Sequence, residues 1–413
     1  MPPSARPIRQ ASRPDDPRIR FLIELSRALG TYGTAAHRLE AVITLCASEM
    51  GLDCQVFSTP TSVFMSIETS SEHSTYLSRI NSVEVNLSKL RRFDQLFNAV
   101  IAGRVSPQAG VRKIKQIVRE PDPVPVWVNL LAVSIVSACV AVFLGGGWTE
   151  VESAAIIGAM VSLLGLFAGK HRERARLTEF LAGLFASLIA AGLTQVLGAY
   201  SYNIAMLAGI IVLLPGMTLT MSMTELATRN VVSGSARLTG ALMILLLLGF
   251  GVAVGNSLSL SLMDVPGIAA PQPLGERWTV MAALVSSLLV AVLFRAKWSD
   301  AWAMVLAVFV AFYASRFGVE RFGLEFGVCV AACCIGVLGN LFARAVDRPA
   351  ATVMLPGLLM LVPGSVGFKS LQMFMHQDTV SGLQTAVTVM VIGVALVVGL
   401  LLANVLVPPR KVL

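Results

Sequence analysis

The sequence predicts an α-helical polytopic membrane protein, with ten transmembrane helices in two inverted five-helix repeats and a small cytoplasmic α+β domain ahead of them. Of the 413 residues, 55% are hydrophobic and 14% are charged, with a mean hydropathy of +0.74, which is too apolar for a soluble protein of this length. The charges are unevenly distributed, because residues 1–123 hold 16 of the 32 Lys and Arg and 12 of the 24 Asp and Glu. Two short motifs recur in the apolar remainder, at separations of 150 and 148 residues.

Residues 1–17 predict a disordered tail. They contain proline and arginine but neither an apolar core nor a small-residue cleavage site, so they do not predict a secretory signal. We therefore expect the N-terminus to stay in the cytoplasm.

Residues 18–123 predict a compact cytoplasmic α+β domain. Apolar residues recur there at helical spacing in four segments and alternate with polar residues in three. The predicted helices are Ile19–Leu29, Ala36–Met50, Leu87–Ala102 and Gln108–Glu120, and the predicted strands are Cys54–Phe57, Ser62–Glu68 and Ser74–Ile80. The proline-rich segment 121–125 then predicts a stiff linker into the membrane.

Two motifs of this domain have both a functional and a structural interpretation. Arg38 and Glu40 lie close together on a predicted helix and could bind a ligand or regulate the protein, although an exposed ion pair is the simpler role. The hydroxyl-rich segment Thr59–Ser62 could line a site, but it is also typical of a turn.

Ten apolar segments follow, each long enough to cross a hydrocarbon core of about 30 Å. We number them as spans one to ten: 125–144, 151–169, 177–199, 203–222, 237–259, 278–295, 300–317, 323–344, 350–368 and 380–407. The predicted domains are therefore a first five-helix repeat over 124–260, an extracytoplasmic linker over 261–277 and a second five-helix repeat over 278–413.

The basic residues between the spans predict the orientation. With the N-terminus inside, the cytoplasmic loops hold Lys170, Arg172, Arg174, Arg176, Arg229, Arg237, Arg295, Lys297, Arg344, Arg348, Arg410 and Lys411. The loops on the far side hold Arg277, Arg316, Arg321 and Lys369. This bias favours ten spans with both termini in the cytoplasm, and it explains the net charge of +8 better than nucleic-acid binding does.

Two motifs suggest an internal duplication. Trp148-Thr149-Glu150 recurs as Trp298-Ser299-Asp300, and Pro215-Gly216 recurs as Pro363-Gly364. Because each copy contains five spans, the second copy must enter the membrane in the opposite sense to the first. Inverted repeats of this kind are typical of transporters.

The proline-glycine pairs predict a solute site. Proline removes a backbone donor and glycine permits non-helical geometry, so spans four and nine should break there, span nine at both Pro356-Gly357 and Pro363-Gly364. A simple kink is the alternative. Paired breaks at membrane depth indicate a site between repeats, where helix N-termini attract a carboxylate. The predicted substrate-binding residues are Pro215, Gly216, Thr218, Thr220, Pro363, Gly364 and Ser365.

Polar residues near the spans are candidates for proton coupling or gating. Glu179 and Glu225 come first, because both flank the broken helices on the cytoplasmic side, although acids near helix N-termini can also be dipole partners. Arg237, Asn340 and Lys369 complete this set.

The sequence predicts neither an enzyme nor a cofactor. The six cysteines and four histidines lack the spacing of metal ligands, and we expect the cysteines to be reduced or simply apolar. No phosphate loop, serine elbow or HExxH motif occurs, so neither ATP hydrolysis nor a membrane hydrolase is indicated.

Six short motifs, spread over residues 20–260, together resemble those of the threonine/serine exporter family. They are Arg38-Leu39-Glu40, Pro60-Thr61-Ser62, Val85 to Leu90, the proline-rich approach to Trp127, Leu214-Pro215-Gly216 followed by Glu225, and Ser233 to Leu238. The rest of the chain, with Asn340, Arg348-Pro349 and Leu361 to Ser365, is similar to the smaller partner module that is a separate chain in many bacteria and is fused here.

The resemblance implies an exporter in the bacterial inner membrane that moves threonine and serine out of the cytoplasm with the proton motive force. Relatives with the two modules on separate chains are associated with succinate export, so a dicarboxylate is the alternative substrate. Glu225 stands where the family pattern has an aspartate. The positions that match the family motifs are Arg38, Glu40, Pro215, Gly216, Glu225, Arg237, Pro363 and Gly364.

The expected partners are a small-molecule substrate, protons and membrane lipid, with no nucleic acid. A second class of function stays open, in which residues 1–123 bind a ligand and the spans only anchor this sensor or scaffold. Two matching helix breaks favour the exporter, because a scaffold has no need of them.

Overall fold

A computed structural model describes residues 16–68, 73–80, 84–169, 175, 177–263, 269–375 and 377–409. The predicted tail and the basic residues Lys170, Arg172, Arg174, Arg176, Arg410 and Lys411 thus lie largely or wholly outside the described residues. The chain forms two compact units. The first comprises the residues up to Val85 and Lys89–Pro121, and the second comprises Asn86–Ser88 and Asp122–Lys411.

The first unit contains four helices and three strands. The helices are α1 (Pro17–Thr31), α2 (Ala36–Glu49), α3 (Leu87–Ile101) and α4 (Pro107–Arg119), and the strands are β1 (Asp53–Thr59), β2 (Ser62–Glu68) and β3 (His73–Arg79). Helix starts follow from local chemistry, since the Asp16 carboxylate accepts from the amide of Arg18 at 2.8 Å and the Ser106 hydroxyl accepts from the amide of Ala109 at 3.4 Å. The predicted helices and strands of this region are all present.

The strands form one antiparallel sheet in the order β1-β2-β3. Val63, Met65 and Ile67 alternate along β2 on one face of the sheet and are fully or almost fully buried. Helices α1 and α2 pack against the sheet. The alternating pattern of the sequence therefore corresponds to one buried face.

The second unit is a bundle of helices. They are α5 (Val126–Phe143), α6 (Trp148–Ala168), α7 (Thr178–Leu197), α8 (Tyr202–Gly209), α9 (Gly216–Ala227), α10 (Val231–Leu262), α11 (Glu276–Leu293), α12 (Ala301–Phe322), α13 (Leu324–Val346), α14 (Ala351–Leu361), α15 (Gly364–Met375) and α16 (Thr379–Leu406). Short 3₁₀ turns at Ile211–Leu213 and Trp298–Asp300 lie between α8 and α9 and ahead of α12.

Among the described residues, nine helices are long and apolar enough to cross a membrane, and the bent pair Tyr202–Gly209 with Ile211–Ala227 makes up to ten. These helices confirm a polytopic helical membrane protein and correspond in order to the predicted spans. Several boundaries differ from the prediction. Helix α12 extends to Phe322, so Arg316 and Arg321 lie in the helix rather than in a loop, and Arg237 lies in α10.

Helix contacts recur between the two halves of this unit. In the first half α5 packs on α6, α6 on α8, α7 on α10 and α9 on α10, and in the second half α11 packs on α12, α12 on α14, α13 on α16 and α15 on α16. The halves meet through α5 on α11, and their contacts include one exchanged pair, α9 on α16 and α10 on α15. Corresponding helices therefore occupy corresponding places in the packing.

Glycine permits the closest of these contacts. A Cβ atom on Gly251 of α10 would lie 2.1 Å from the carbonyl oxygen of Phe180 in α7, and one on Gly399 of α16 would lie 2.3 Å from the carbonyl oxygen of Cys329 in α13. The backbones of the third and fifth spans of each half therefore touch, as small-residue packing in membranes allows.

Candidate functional site

Span four is broken as its proline-glycine pair predicts. Helix α8 ends at Gly209, the chain bends by 48°, and Leu214 adopts an extended conformation before α9 starts at Gly216. Pro215 precedes that first helical residue, where proline costs no helical hydrogen bond. The helix therefore resumes as a new segment with its own N-terminus.

Span nine is broken once rather than twice. Val362 is extended, Pro363 follows, and α15 begins at Gly364. The expected second break, at Pro356-Gly357, is wrong, because Pro356 lies inside the continuous helix α14. Pro356 is in the second turn of α14, and proline at such a position can be accommodated with a bend or a local adjustment of the helix.

The two breaks are in contact with each other. A Cβ atom on Gly364 would lie 3.1 Å from the Cα atom of Gly216, and one on Gly216 would lie 2.1 Å from Cγ1 of Val362. Both glycines and both preceding prolines, Pro215 and Pro363, are buried. The backbones at the two breaks therefore touch directly, and α9 also packs on α15.

The polar groups near this contact are hydroxyls and backbone amides. Thr218 and Ser365 are half-buried in the first turns of α9 and α15, where the first amides of a helix have no partner within it. Thr220 is 3% exposed, and among the described residues its hydroxyl oxygen has no hydrogen-bond partner. Because Gly216 and Thr220 are four residues apart, they share one face of α9. A buried hydroxyl without a partner is costly and calls for an explanation.

Glu225 is the centre of a buried charged cluster near the end of α9, the helix that begins at the break. Its side chain is fully buried in α9, although the sequence predicted a position just beyond the span. The Ser233 hydroxyl donates to Oε2 at 2.8 Å, and Nε of Arg237 donates to Oε1 at 3.1 Å and to Oε2 at 3.0 Å. The carboxylate therefore connects α9 to α10 through charge-assisted hydrogen bonds.

The other coupling candidates are not part of this cluster. Glu179 is half-buried in the first turn of α7. Asn340 is buried in α13, and its Nδ2 donates to Asn404 at 3.0 Å and to the carbonyl oxygen of Val407 at 2.7 Å, which holds the end of α16. Lys369 is an exposed residue within α15 and not, as expected, in a loop after span nine.

The motifs of the first unit have structural contacts. Oε1 of Glu40 accepts from the backbone amide of Ser58 at 2.7 Å and so ties α2 to β1, while burial lowers the pKa of the half-buried Arg38 guanidinium. The Thr59 hydroxyl accepts from the amide of Ser62 at 3.1 Å within the β1–β2 turn. The turn interpretation of Thr59–Ser62 is thus confirmed.

The cysteines of the first unit are buried free thiols. Burial raises the pKa of Cys46 to about 12 and that of Cys54 to about 11. Because the thiolate is the reactive form, neither cysteine has the environment of a redox or catalytic thiol.

Two buried acids in the repeated tryptophan motif are not among the predicted substrate-binding or coupling residues. Glu150 is 4% exposed and accepts from the backbone amides of Gly147 and Ser201, both at 2.8 Å. Asp300 is 3% exposed and pairs with the guanidinium of Arg348. The signal was present in the sequence, because the acid is the third residue of both copies of the motif.

Comparisons with known proteins agree with the resemblance. The threonine/serine exporter model ThrE matches residues 20–259, and a second model, described as "Threonine/Serine exporter, ThrE", matches residues 279–406. The chain therefore carries the N-terminal and C-terminal modules in one polypeptide, as its motifs predict. No solved structure matches the chain.

Similar proteins occur in fungi. The chain is 25% identical over 380 residues to pheromone-regulated membrane protein 10 of Candida albicans, covering 89% of this chain and 34% of that protein. Its counterpart in Eremothecium gossypii is 25% identical over 361 residues, covering 86% and 49%, and a Schizosaccharomyces pombe protein is 24% identical over 366 residues, covering 84% and 48%. The chain spans between a third and a half of the length of these relatives.

Proposed function

The chain belongs to the threonine/serine exporter family, and from this premise we propose that it is a secondary active exporter of small hydroxy amino acids, with the solute bound where spans four and nine are broken. The observation that carries the proposal is the backbone contact between Gly216 and Gly364, at the starts of α9 and α15. Two opposed helix N-termini inside a membrane bundle supply amide donors and positive dipole ends.

The chemistry of the site suits an amino acid with a hydroxyl group. The N-termini of α9 and α15 would hold the carboxylate. The buried hydroxyl of Thr220 would gain its missing partner from the solute, and Thr218 and Ser365 would contribute further hydroxyls. Pro215 and Pro363 keep the approach to each helix start non-helical and so leave its amides available.

An inverted repeat would give this site two alternating exits. The repeated helix pairs and the exchanged contacts between halves support the duplication. An odd number of spans in each half makes the halves antiparallel in the membrane, so that rocking one against the other would expose the breaks first to one side and then to the other.

Proton coupling would involve Glu225. Its carboxylate is buried between α10 and α9, the helix that begins at the break, and Arg237 and Ser233 hold it there. Protonation would weaken the hydrogen bonds from Ser233 and Arg237 and loosen α9, which would link the charge state of Glu225 to movement of the site. Glu179 and Asn340 lie in other helices and Lys369 is exposed on α15, so Glu225 and Arg237 are the proposed coupling pair.

The proposed orientation places both termini in the cytoplasm of a bacterial cell, with the protein in its inner membrane. The basic loop residues support this orientation through the positive-inside rule. Export is then movement away from the side that carries residues 18–123.

Efflux from proteoliposomes tests the proposal. Vesicles with the purified full-length protein would be preloaded with labelled threonine, serine, succinate or leucine, with and without an imposed pH gradient. We expect efflux of threonine and serine that the gradient accelerates, and none of leucine, which lacks a hydroxyl group. Efflux of succinate alone would retain the site and replace the substrate by a dicarboxylate, and no efflux of any solute would contradict the exporter.

A further inference from the structure

Glu150 anchors the start of the broken span in the first half. Its buried carboxylate sits in the first turn of α6 and accepts from the backbone amide of Ser201, the residue immediately before α8. A second bond, to the amide of Gly147, fixes the carboxylate to its own helix start. The position of α8 is thus tied to α6 at one defined point.

Asp300 makes the corresponding connection in the second half. It lies at the start of α12, and its buried carboxylate pairs with the guanidinium of Arg348, which lies three residues before α14. The same guanidinium donates to the carbonyl oxygen of Ser299 at 3.3 Å, and the Ser299 hydroxyl donates to Asp300 at 2.9 Å. Arg348 is therefore held by two of the three motif residues, Ser299 and Asp300.

These connections have the same place in both halves. Each begins at the acid of a tryptophan motif, at the start of the second helix, and ends at the N-terminal side of the broken span. The helical segments between anchor and break are short, 8 residues in α8 and 11 in α14, or about 12 and 16 Å at 1.5 Å per residue. Only a short non-α-helical connection follows each segment, Ile211–Leu213 with Leu214 after α8 and Val362 with Pro363 after α14, so a displaced anchor shifts the chain that leads into the break.

We propose that Glu150 and Asp300 are positioning residues of the solute site, which hold Gly216 and Gly364 in register by anchoring α8 and α14. This inference rests on the proposed function for the location of the site. It adds that solute affinity depends on two carboxylates that do not touch the solute. With the halves inverted, the anchors lie at opposite faces of the membrane.

The two anchors differ in their partners. Glu150 binds backbone amides, which no substitution of a partner side chain removes, whereas Asp300 binds the Arg348 side chain. Substitution of either Asp300 or Arg348 should therefore have the same effect, and the double variant should be no worse than the worse single variant.

Solute affinity and local hydrogen exchange of the full-length protein test this inference. The variants are Glu150→Gln, Asp300→Asn, Arg348→Gln and the pair Asp300→Asn with Arg348→Gln. The matched controls are Glu152→Gln, at an exposed acid of the same helix, and Lys297→Gln, at an exposed residue beside the second motif. Size-exclusion chromatography checks that each variant is monodisperse, and any variant that is not is replaced by Glu150→Asp or Asp300→Glu.

We expect the concentration for half-maximal efflux to rise about tenfold in the anchor variants and to stay at the wild-type value in the controls, which corresponds to one lost charge-assisted hydrogen bond per anchor. Amide exchange should accelerate at the start of α8 in Glu150→Gln, with α14 unchanged, and at the start of α14 in Asp300→Asn, with α8 unchanged.

A loss of maximal rate with unchanged half-saturation would overturn the inference, because general destabilisation lowers only the fraction of active protein. Unchanged transport and exchange in both Glu150→Gln and Asp300→Asn would also overturn it. Failure of the proposed function can be distinguished from failure of this inference. If the proposed function is wrong, the wild-type protein itself transports none of the solutes. The exchange measurement still shows whether Glu150 and Asp300 stabilise the starts of α8 and α14.

Discussion

At the scale of single residues, the buried pair of Glu225 and Arg237 contrasts with an exposed pair of the same chemistry. Arg237 is 10% exposed and Glu225 is fully buried, whereas Arg316 and Glu276 pair at 3.3 Å with half or more of each side chain exposed. Exposed pairs contribute little to stability, but loss of one partner of a buried pair leaves an uncompensated charge.

Glu225→Gln should reduce stability and abolish the response of efflux to a pH gradient. Leaving Arg237 unpaired should lower the free energy of unfolding by about 3 to 5 kcal/mol. Denaturant titration of the purified protein measures this change. Glu276→Gln is the matched control and should change neither quantity. Removal of both charges in Glu225→Gln with Arg237→Gln should restore much of the stability but not the response to the gradient. A gradient response in that stable double variant would exclude Glu225 as the coupling acid.

Thr220→Val tests whether the solute satisfies the buried hydroxyl. Valine has nearly the same shape, so stability should not fall, while the half-saturation concentration for threonine efflux should rise about tenfold for one lost hydrogen bond. Thr194→Val is the control, since the Thr194 hydroxyl is equally buried but already donates to the carbonyl oxygen of Ala191 at 2.6 Å. An unchanged half-saturation concentration in Thr220→Val would remove this residue from the site.

At the scale of elements, the breaks depend on backbone contact that only glycine allows. Gly216→Ala would place a methyl group 2.1 Å from Cγ1 of Val362, so the two breaks must separate. We expect this substitution, alone or with Pro215→Ala, to abolish efflux while the protein still inserts into the membrane. Gly240→Ala in α10 is the control, because its methyl group would meet no atom within 4 Å and alanine favours a helix interior by about 1 kcal/mol. Normal efflux in Gly216→Ala would contradict the assignment of the site.

The sequence patterns were most successful at predicting whole elements, the helices and strands. The length of an apolar segment is sufficient to predict each span. A helix that crosses the bilayer needs about 20 apolar residues, and its backbone groups must hydrogen-bond within the helix. Pro356 shows the limit of this reasoning. The dipeptide Pro-Gly occurs at 356 and at 363, but only the second breaks the helix, because packing around α14 decides whether the freed carbonyl can be accommodated.

At the scale of the whole molecule, the orientation in the membrane can be measured directly. Arg277, in the first turn of α11, and Lys297, four residues after its end, are both exposed, and cysteines introduced at these positions should lie on opposite faces of the membrane. We expect an impermeant maleimide to label Arg277→Cys in intact cells and Lys297→Cys only after permeabilisation. The wild-type protein with its six native cysteines gives the background. Labelling of Lys297→Cys in intact cells would reverse the proposed orientation.

The sequence by itself determined the membrane class, the order of the helices, the elements of the first unit and the family, because hydropathy, periodicity and short motifs are local properties. The tertiary structure decided which residues meet. Gly216 and Gly364 are 148 residues apart in the chain, and Glu150 and Ser201 are 51 apart, so no local pattern indicates their contact. The burial of Glu225 likewise arises from the helices packed around α9, since a carboxylate near the end of an apolar segment can equally face water. Side-chain environment is a property of the packed bundle, and that is why the anchors and the buried ion pair became visible only in the fold.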